Sequence, residues 1–583
     1  MASTTSKGSA AFVSTFLLFC LTFICGTHAA TPDQWRGRSI YQIITDRFAQ
    51  SDGSITAPCN VTKELYCNGT WQGIIKQLDY IQGMGFTAIW ISPVVKGIDE
   101  VTKYGQGYHG FWPQDIYSLN SHFGTADDLN ALSSELHKRD MYLMVDIVAN
   151  NFAYAGAGDA VDYSIFVPFN EEKYFHPFCF ITNYNNATNA EQCWLGDNTV
   201  SLPDMNTELA EVQSTYSKWG ADMVKNYSSK QYDRGLIARA SNNLKGVAVD
   251  GFRADAAKHV DKPFWDAFQA EANVYMVGEV FSNDAYFSCD YMVDALDAVL
   301  NYPMWYAMTG TFQFTNGSLE YLSYMIQNIT GSCIDSTLLG TFSENQDVAR
   351  FASMTNDTAL RRNVLAFTLL SDGVPIIYYG AEKGFDGVSD PTNREPFWLT
   401  GYPTTGPLYE VVKAANLARN AVFASNNNDS YWSPYWQYKA KVTYATDQIM
   451  VVRKGYDHSL VGVYTVLGEN STESAPITVT DSNFHGGDLL VEVIGCTSLT
   501  AGLYGNFNTT IKNGDPQVWV PAKYLNGSAL CPNVLKKGIC TTNCGVHKSA
   551  AGLPFATPAV FTSPWASVLG LLAATFILAY APL

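Results

Sequence analysis

Seven short apolar runs, most of them closed by a polar or acidic residue, punctuate residues 39–380. They fall at 39–44, 86–91, 141–148, 247–254, 274–279, 338–344 and 375–380. Nearly unbroken runs such as Met141-Tyr142-Leu143-Met144-Val145-Asp146-Ile147-Val148 indicate strands buried on both faces, as in a parallel sheet. Helical spacing lies between them. Over 71–83, Ile74, Ile75, Leu78 and Ile81 share one face. Thr125, with Asp128 three residues on, predicts a capped helix start. Further helices are expected from about Pro263 and over 359–370. Strand–helix units repeated over more than three hundred residues predict an α/β fold, a (β/α)8 TIM barrel.

Two stretches interrupt this rhythm. Residues 150–206, rich in Tyr, Asn and Cys, read as a subdomain inserted after the third strand. Residues 229–245 have no clear period, and no function is assigned to them. From about 431 the pattern changes to short strands separated by turns, for example 449–453 and 460–464, which predicts a β-sandwich. The expected layout is a signal peptide at 1–30, a barrel from 31–149 and 207–430, subdomain B at 150–206, a C-terminal β-sandwich at 431–545, and an anchor signal at 546–583.

The two ends carry processing patterns. Lys7, the apolar run 10–24 and the small residues 27–30 have the order of a secretory signal peptide. No charged residue follows Lys548. Small residues at 549–552, a spacer and an apolar tail predict a glycosylphosphatidylinositol (GPI) anchor, with Ser549 as the candidate attachment residue. The protein is therefore expected on the secretory pathway, held by a lipid anchor at the outer face of the cell membrane or in the cell wall. Cysteine usage agrees with an oxidising compartment. Close spacing suggests the pairs Cys59–Cys67 and Cys179–Cys193, and Cys289, Cys333, Cys496 and Cys531 are available for two longer loops. The pairing of Cys540 and Cys544 is left open. Asn60, Asn68, Asn226, Asn328, Asn356 and Asn526 each begin a glycosylation triplet.

A net charge of -18 argues against nucleic acid or an anionic membrane surface as the main partner. Aromatic residues make up 14% of the chain, and their flat faces suit sugar rings as well as ordinary cores. The polar residues at the predicted strand ends carry more information. The third strand offers Asp146, Asn150 and Asn151; the fourth offers Arg253, Asp255, Lys258 and His259; the fifth offers Glu279; the seventh offers Glu344, Asn345, Gln346 and Asp347. Strand alternation places Arg253 and Asp255 on one face, where the guanidinium is expected to lower the aspartate pKa. Several carboxylates around one barrel mouth is the arrangement that cleaves glycosidic bonds.

At these residues the chain resembles the fungal α-amylases of glycoside hydrolase family 13. The matching motifs are Asp146-Ile147-Val148-Ala149-Asn150, Leu202-Pro203-Asp204, Gly251-Phe252-Arg253-Ala254-Asp255, Gly278-Glu279-Val280 and Phe342-Ser343-Glu344-Asn345-Gln346-Asp347. The resemblance implies Asp255 as nucleophile, Glu279 as general acid/base and Asp347 as transition-state stabiliser, with retention at the sugar carbon. It implies sugar contacts from Tyr108, His109, Trp112, Arg253, Lys258, His259, Asp390 and Arg394. It also implies Ca²⁺ held by Asn150, Glu191, Asp204 and the His259 carbonyl, a hard oxygen set.

Three positions depart from the family pattern. Asn151 and Gln346, also expected as sugar contacts, replace two histidines that normally hold the sugar at the reacting carbon, and Phe111 stands where Tyr is usual. Neither amide can carry positive charge. Lost histidines together with an anchor signal resemble the fungal GPI-anchored subgroup of 4-α-glucanotransferases, and imply disproportionation of maltooligosaccharides or of cell-wall α-1,4-glucan by a monomer. The alternatives are a slow α-amylase and a wall-anchored α-glucan-binding protein with vestigial catalysis.

Overall fold

Eight short parallel strands form the centre of the computed structural model: β1 (Ile40–Ile43), β2 (Ala88–Ile91), β3 (Tyr142–Ile147), β4 (Gly251–Ala254), β5 (Tyr275–Gly278), β6 (Ala298–Val299), β7 (Gly340–Phe342) and β8 (Val374–Tyr378). Their spatial order is β6-β5-β4-β3-β2-β1-β8-β7. A parallel bridge between Leu300 and Gly340 joins the two ends, so the sheet closes into a barrel. The structure describes residues 30–224, 248–426, 435–455, 459–471 and 474–538. The expected signal peptide, the 229–245 stretch, Cys540, Cys544 and the anchor signal with Ser549 lie outside the described residues.

Alternation along each strand sorts side chains between two cores. Ile40, Ala88, Trp90, Met144, Tyr275, Val277, Phe342 and Ile376 pack inside the barrel. Tyr41, Ile43, Ile89, Ile91, Leu143, Val145, Phe252 and Met276 face outward, under the helices. Both faces are thus apolar, which is why these strands read as unbroken runs. Helices Ala126–His137, Lys262–Ala272 and Thr358–Leu370 cover the outer face. The first opens on a capping box in which Thr125 and Asp128 each accept the other's backbone N–H.

The 71–83 segment is two helices, Trp71–Lys76 and Leu78–Gly83, separated at Gln77, whose φ -108 and ψ 8 leave the helical region. The strands are also shorter than their apolar runs. β6 is only two residues long and carries no periodicity of its own.

After β3 the chain leaves the barrel for a region of short 3-10 turns, one helix (Ala187–Gln192) and a small hairpin. Phe152, Phe166, Phe169 and Phe175 form its core, and Phe169 stacks on Tyr216 of helix Ala210–Val224. The C-terminal part is antiparallel. A six-stranded sheet faces the pair Ala475–Val479 and Phe507–Ile511 across a core that includes Val461, Val463, Leu490 and Trp519. The bridges are Cys59–Cys67, Cys179–Cys193, Cys289–Cys333 and Cys496–Cys531.

Asn363, fully buried on helix Thr358–Leu370, fastens the barrel to this C-terminal part. Its Nδ2 donates to the Gly514 carbonyl at 2.8 Å, and its Oδ1 accepts the Thr465 N–H at 2.8 Å. Replacing Asn363 by Leu keeps the volume and strands two buried backbone groups. Each costs about 1–3 kcal/mol. A urea melt of Asn363→Leu is expected to show a loss of roughly 2–4 kcal/mol; an unchanged melt would mean that this pin carries no load.

Candidate active site

Strand register brings the chemistry together. Asp146 on β3 pairs with Arg253 on β4, and Ala254 pairs with Gly278 on β5. The next residues, Asp255 and Glu279, therefore emerge side by side at the C-terminal rim. Gly278 has no room for a side chain: a Cβ there would stand 2.3 Å from Leu296 Cδ1 and 3.0 Å from Ala257 Cβ. After Asp255 the chain turns sharply at Ala256, which adopts a left-handed conformation (φ 49, ψ 34) uncommon for a residue with a side chain. That turn aims the Ala256 N–H at Glu279 Oε2, 3.0 Å away.

Arg253 is the hub. It is wholly buried, and its Nη1 donates to Asp146 Oδ1 at 2.9 Å and to Asp255 Oδ1 at 2.6 Å. Its Nη2 lies 2.9 Å from Glu279 Oε2. Because Asp255 and Glu279 touch neighbouring nitrogens of one guanidinium, they stand only a few ångströms apart. Retaining enzymes need their two carboxyls about 5–5.5 Å apart. Trp90 Nε1 donates to Asp146 Oδ2, which completes the floor.

Asp347, beyond β7, joins from the far side with its side chain 35% exposed to the cleft. Arg394 Nη2 lies 3.5 Å from its Oδ1, and Gln346 Nε2 donates to its Oδ2 at 2.6 Å. Tyr302 donates to Glu279 Oε1 at 3.2 Å and accepts from Asn345 Nδ2 at 3.1 Å.

Burial dominates the electrostatics. The Asp255 pKa is raised to about 6, first by desolvation and then by Glu279, against the opposing Arg253. The expectation that Arg253 lowers it is corrected here: one guanidinium is shared among three carboxylates, and its pull is smaller than the cost of enclosure. Asp146 is raised for the same reason. Asp347 is raised to about 7 by burial in the cleft and by Glu279, with Arg394 and Arg253 opposing. His109 is held well below its ordinary pKa by burial, then Arg394 and Arg47, so it is neutral. Its Nδ1 accepts the Phe111 N–H at 3.0 Å, which leaves Nε2 as the protonated nitrogen.

The cleft has a volume of about 360 Å³. Asp255, Glu279 and Asp347 line it together with His109, Trp112, Lys258, His259, Asp390 and Arg394. Lys258 donates to the Phe281 carbonyl at 3.2 Å, and Asp390 pairs with Arg394 at 3.1 Å. Four of the expected sugar contacts sit behind this surface. Tyr108 is 1% exposed and lies 3.4 Å from Asp390. Arg253 is 0% exposed and is spent on carboxylates. Asn151 donates to the Phe152 carbonyl and accepts from Asn150, and Gln346 is engaged with Asp347 and Gln42. Sequence reasoning did not find Leu195 and Phe281, which line the wall, or Tyr302 and Trp90, which hold the carboxylates. Phe281 follows Glu279 by two residues, a position that strand-end reasoning reaches.

Of the expected calcium ligands, Asn150 and Asp204 are neighbours: Asn151 bridges Asp204, and the Asn150 carbonyl accepts the Met205 N–H. Asn150 Oδ1 and Asp204 Oδ1 are both buried and have no hydrogen-bond partner. Buried oxygens without donors fit a hard cation. Asp204 Oδ2 is taken by His176 Nδ1 at 2.7 Å. The imidazole of His259 bonds the Ala190 carbonyl at 2.8 Å, next to Glu191. No group of three or more His, Cys, Asp or Glu able to hold a metal occurs among the described residues, so the expected set depends on its amide and carbonyl oxygens.

A family model for the alpha-amylase catalytic domain matches residues 42–462, and one for alpha-amylase domain C matches 442–538. The chain is 45% identical over 531 residues to alpha-amylase 2 of Schwanniomyces occidentalis, covering 91% of this chain and 98% of that one. It is also 45% identical to the alpha-amylase of Saccharomycopsis fibuligera, with 85% and 93% covered. The solved alpha-amylase of Malbranchea cinnamomea superposes with a TM-score of 0.78 at 43% identity, covering 86% of this chain and 100% of that one. A buried arginine holding strand-end carboxylates, and these matches across both domains, make the chain a member of the alpha-amylase family of glycosidases.

Proposed function

We propose that this chain is a retaining enzyme of α-1,4-glucans that works chiefly as a 4-α-glucanotransferase. Asp255 attacks the anomeric carbon of the donor, the glycosidic bond breaks, and Glu279 gives its proton to the leaving oxygen. A 4-hydroxyl of a second glucan then attacks the glycosyl-Asp255 carbon. It returns its proton to Glu279 and frees Asp255. Asp347 holds the donor sugar while charge develops, and neutral His109 offers it an Nε2–H donor.

One observation carries the preference for transfer: the donor and acceptor sides are built unequally. On the donor side both amides that replace histidine are buried behind the cleft lining, Asn151 bonded to the Phe152 carbonyl and Gln346 to Asp347. On the other side a second cavity of about 550 Å³ opens beside the first, and both are lined by Lys258 and Phe281. Tyr184, 57% exposed, and Phe287, 46% exposed, give it aromatic faces suited to sugar rings. A weakly held donor and a well-held acceptor favour sugar over water at the intermediate. Hydrolysis, the second reading, is favoured by the relatives, which are named alpha-amylases. The proposal includes export by the signal peptide, a GPI anchor at the outer membrane face, action as a monomer, and a structural Ca²⁺ on Asn150, Glu191, Asp204 and the His259 carbonyl. The ion would tie the inserted region to the barrel beside Asp255.

Four measurements test this. The purified protein without its tail, given a maltooligosaccharide of one length, should yield longer products with few new reducing ends. Shorter products with reducing ends rising in step would make it an amylase. Asp255→Asn should lower turnover by roughly a thousandfold or more while glucan retention persists; surviving activity would refute the nucleophile. The attack needs the ionised carboxylate, so kcat/KM should fall as pH drops through about 6, roughly tenfold per unit below it. An acidic limb near pH 4 would show that burial does not set this group. Chelation should lower both Tm and activity, and no change in either would remove the calcium assignment.

A further inference from the structure

Gln42 is a polar residue where the pattern calls for an apolar one. It sits on β1 at 2% exposure, and by strand alternation it faces the barrel interior with Ile40. Burying an amide without partners is unfavourable. Its Oε1 is buried without a hydrogen-bond partner. Its Nε2 has one partner, Gln346 Oε1, at 2.5 Å. The other end of Gln346 donates from Nε2 to Asp347 Oδ2 at 2.6 Å. Asp347 Oδ2 is the acceptor in this contact, so Gln346 presents its Nε2 to it. Its Oε1 must then face a donor, which Gln42 supplies. The three side chains thus form a chain of fixed polarity, running from the barrel interior to a carboxylate in the cleft. The Gln346 carbonyl is also tied, accepting from Asn393 Nδ2 at 3.0 Å and from Arg394 Nη2 at 3.2 Å, so the backbone that carries the amide is held as well.

We propose that Gln42 and Gln346 are positioning residues, a two-amide clamp that orients Asp347 and occupies its Oδ2, rather than contacts to sugar. Neither side chain lines the cleft. The clamp occupies Oδ2 and leaves Oδ1, 3.5 Å from Arg394 Nη2, as the Asp347 oxygen that faces sugar hydroxyls. This accounts for a loose donor side: the residue that stands in for a sugar-binding histidine serves a neighbouring carboxylate instead. The inference rests on the reading that Asp347 meets the donor sugar.

The test is a double-mutant cycle on total donor consumption, hydrolysis and transfer added together, with maltoheptaose as substrate. That readout is independent of which acceptor wins. Gln42→Leu is expected to lower kcat roughly tenfold with KM changed less than about twofold, because orientation of a transition-state contact is lost. In the Gln346→Met background, Gln42→Leu should cost nothing further, since its only route to the site is gone. Gln42→Glu should be worse than Gln42→Leu, because a carboxylate facing Gln346 Oε1 repels it. Equal losses from Gln42→Leu in both backgrounds, or a loss confined to Tm, would overturn the clamp and make Gln42 a packing residue. An inactive wild-type protein would refute the enzymatic reading itself, which keeps the two failures apart.

Discussion

One buried guanidinium, Arg253, sets the terms for this molecule. Enclosing an unpaired charge in a barrel core costs several kcal/mol. It is tolerated because Asp146, Asp255 and Glu279 reach it from three adjacent strands. That requirement fixes the register of β3, β4 and β5, since a one-residue slip would turn each side chain to the opposite face. It also fixes the charge balance. One positive group faces three carboxyls, so the cluster carries excess negative charge and cannot ionise freely. The raised pKa values of Asp146 and Asp255 follow first from burial, and the neighbouring carboxylates add to it.

The sequence made most of the barrel legible because its strands are buried on both faces. A run such as 141–148 has no polar side to hide it, and its closing residues mark the rim. β6 escaped because two residues have no period. The helix over 71–83 showed the right face, but its break at Gln77 depends on backbone angles that periodicity does not encode. The carboxylates were legible through position, each at or just past a strand end. The amides were legible only as identities. Sequence places Gln346 at the site, and the fold turns its side chain to Asp347 and Gln42. Gln42 itself had no signal beyond being polar in an apolar strand. The pKa of Asp255 was misread because adjacency was visible in the chain, whereas sharing and enclosure belong to three dimensions.

The same contrast separates the two sides of the reaction. Asp255 and Glu279 are held at strand ends, through bonds of 2.6 to 3.2 Å. Groups around the second cavity come from a short helix of the inserted region and the loop after β5, with aromatic rings left open to solvent. The first arrangement admits one geometry and suits a reacting centre. The second offers flat aromatic faces among polar side chains such as Lys258 and Asp284.

A barrel interior is a poor place for an amide, and this one holds Gln42, with Gln346 next in series beyond the end of β7. An imidazole at 346 would have met the sugar with a proton able to carry charge. An amide pair instead passes a neutral hydrogen bond inward and holds a carboxylate still. In the proposed clamp, loss of charge at the donor sugar and gain of rigidity at Asp347 are one event, made possible by a glutamine in β1. The cost in the core is the unpartnered Gln42 oxygen. The barrel core on which β1 packs, with Ile40, Val277 and Ile376, is otherwise apolar in its buried cluster.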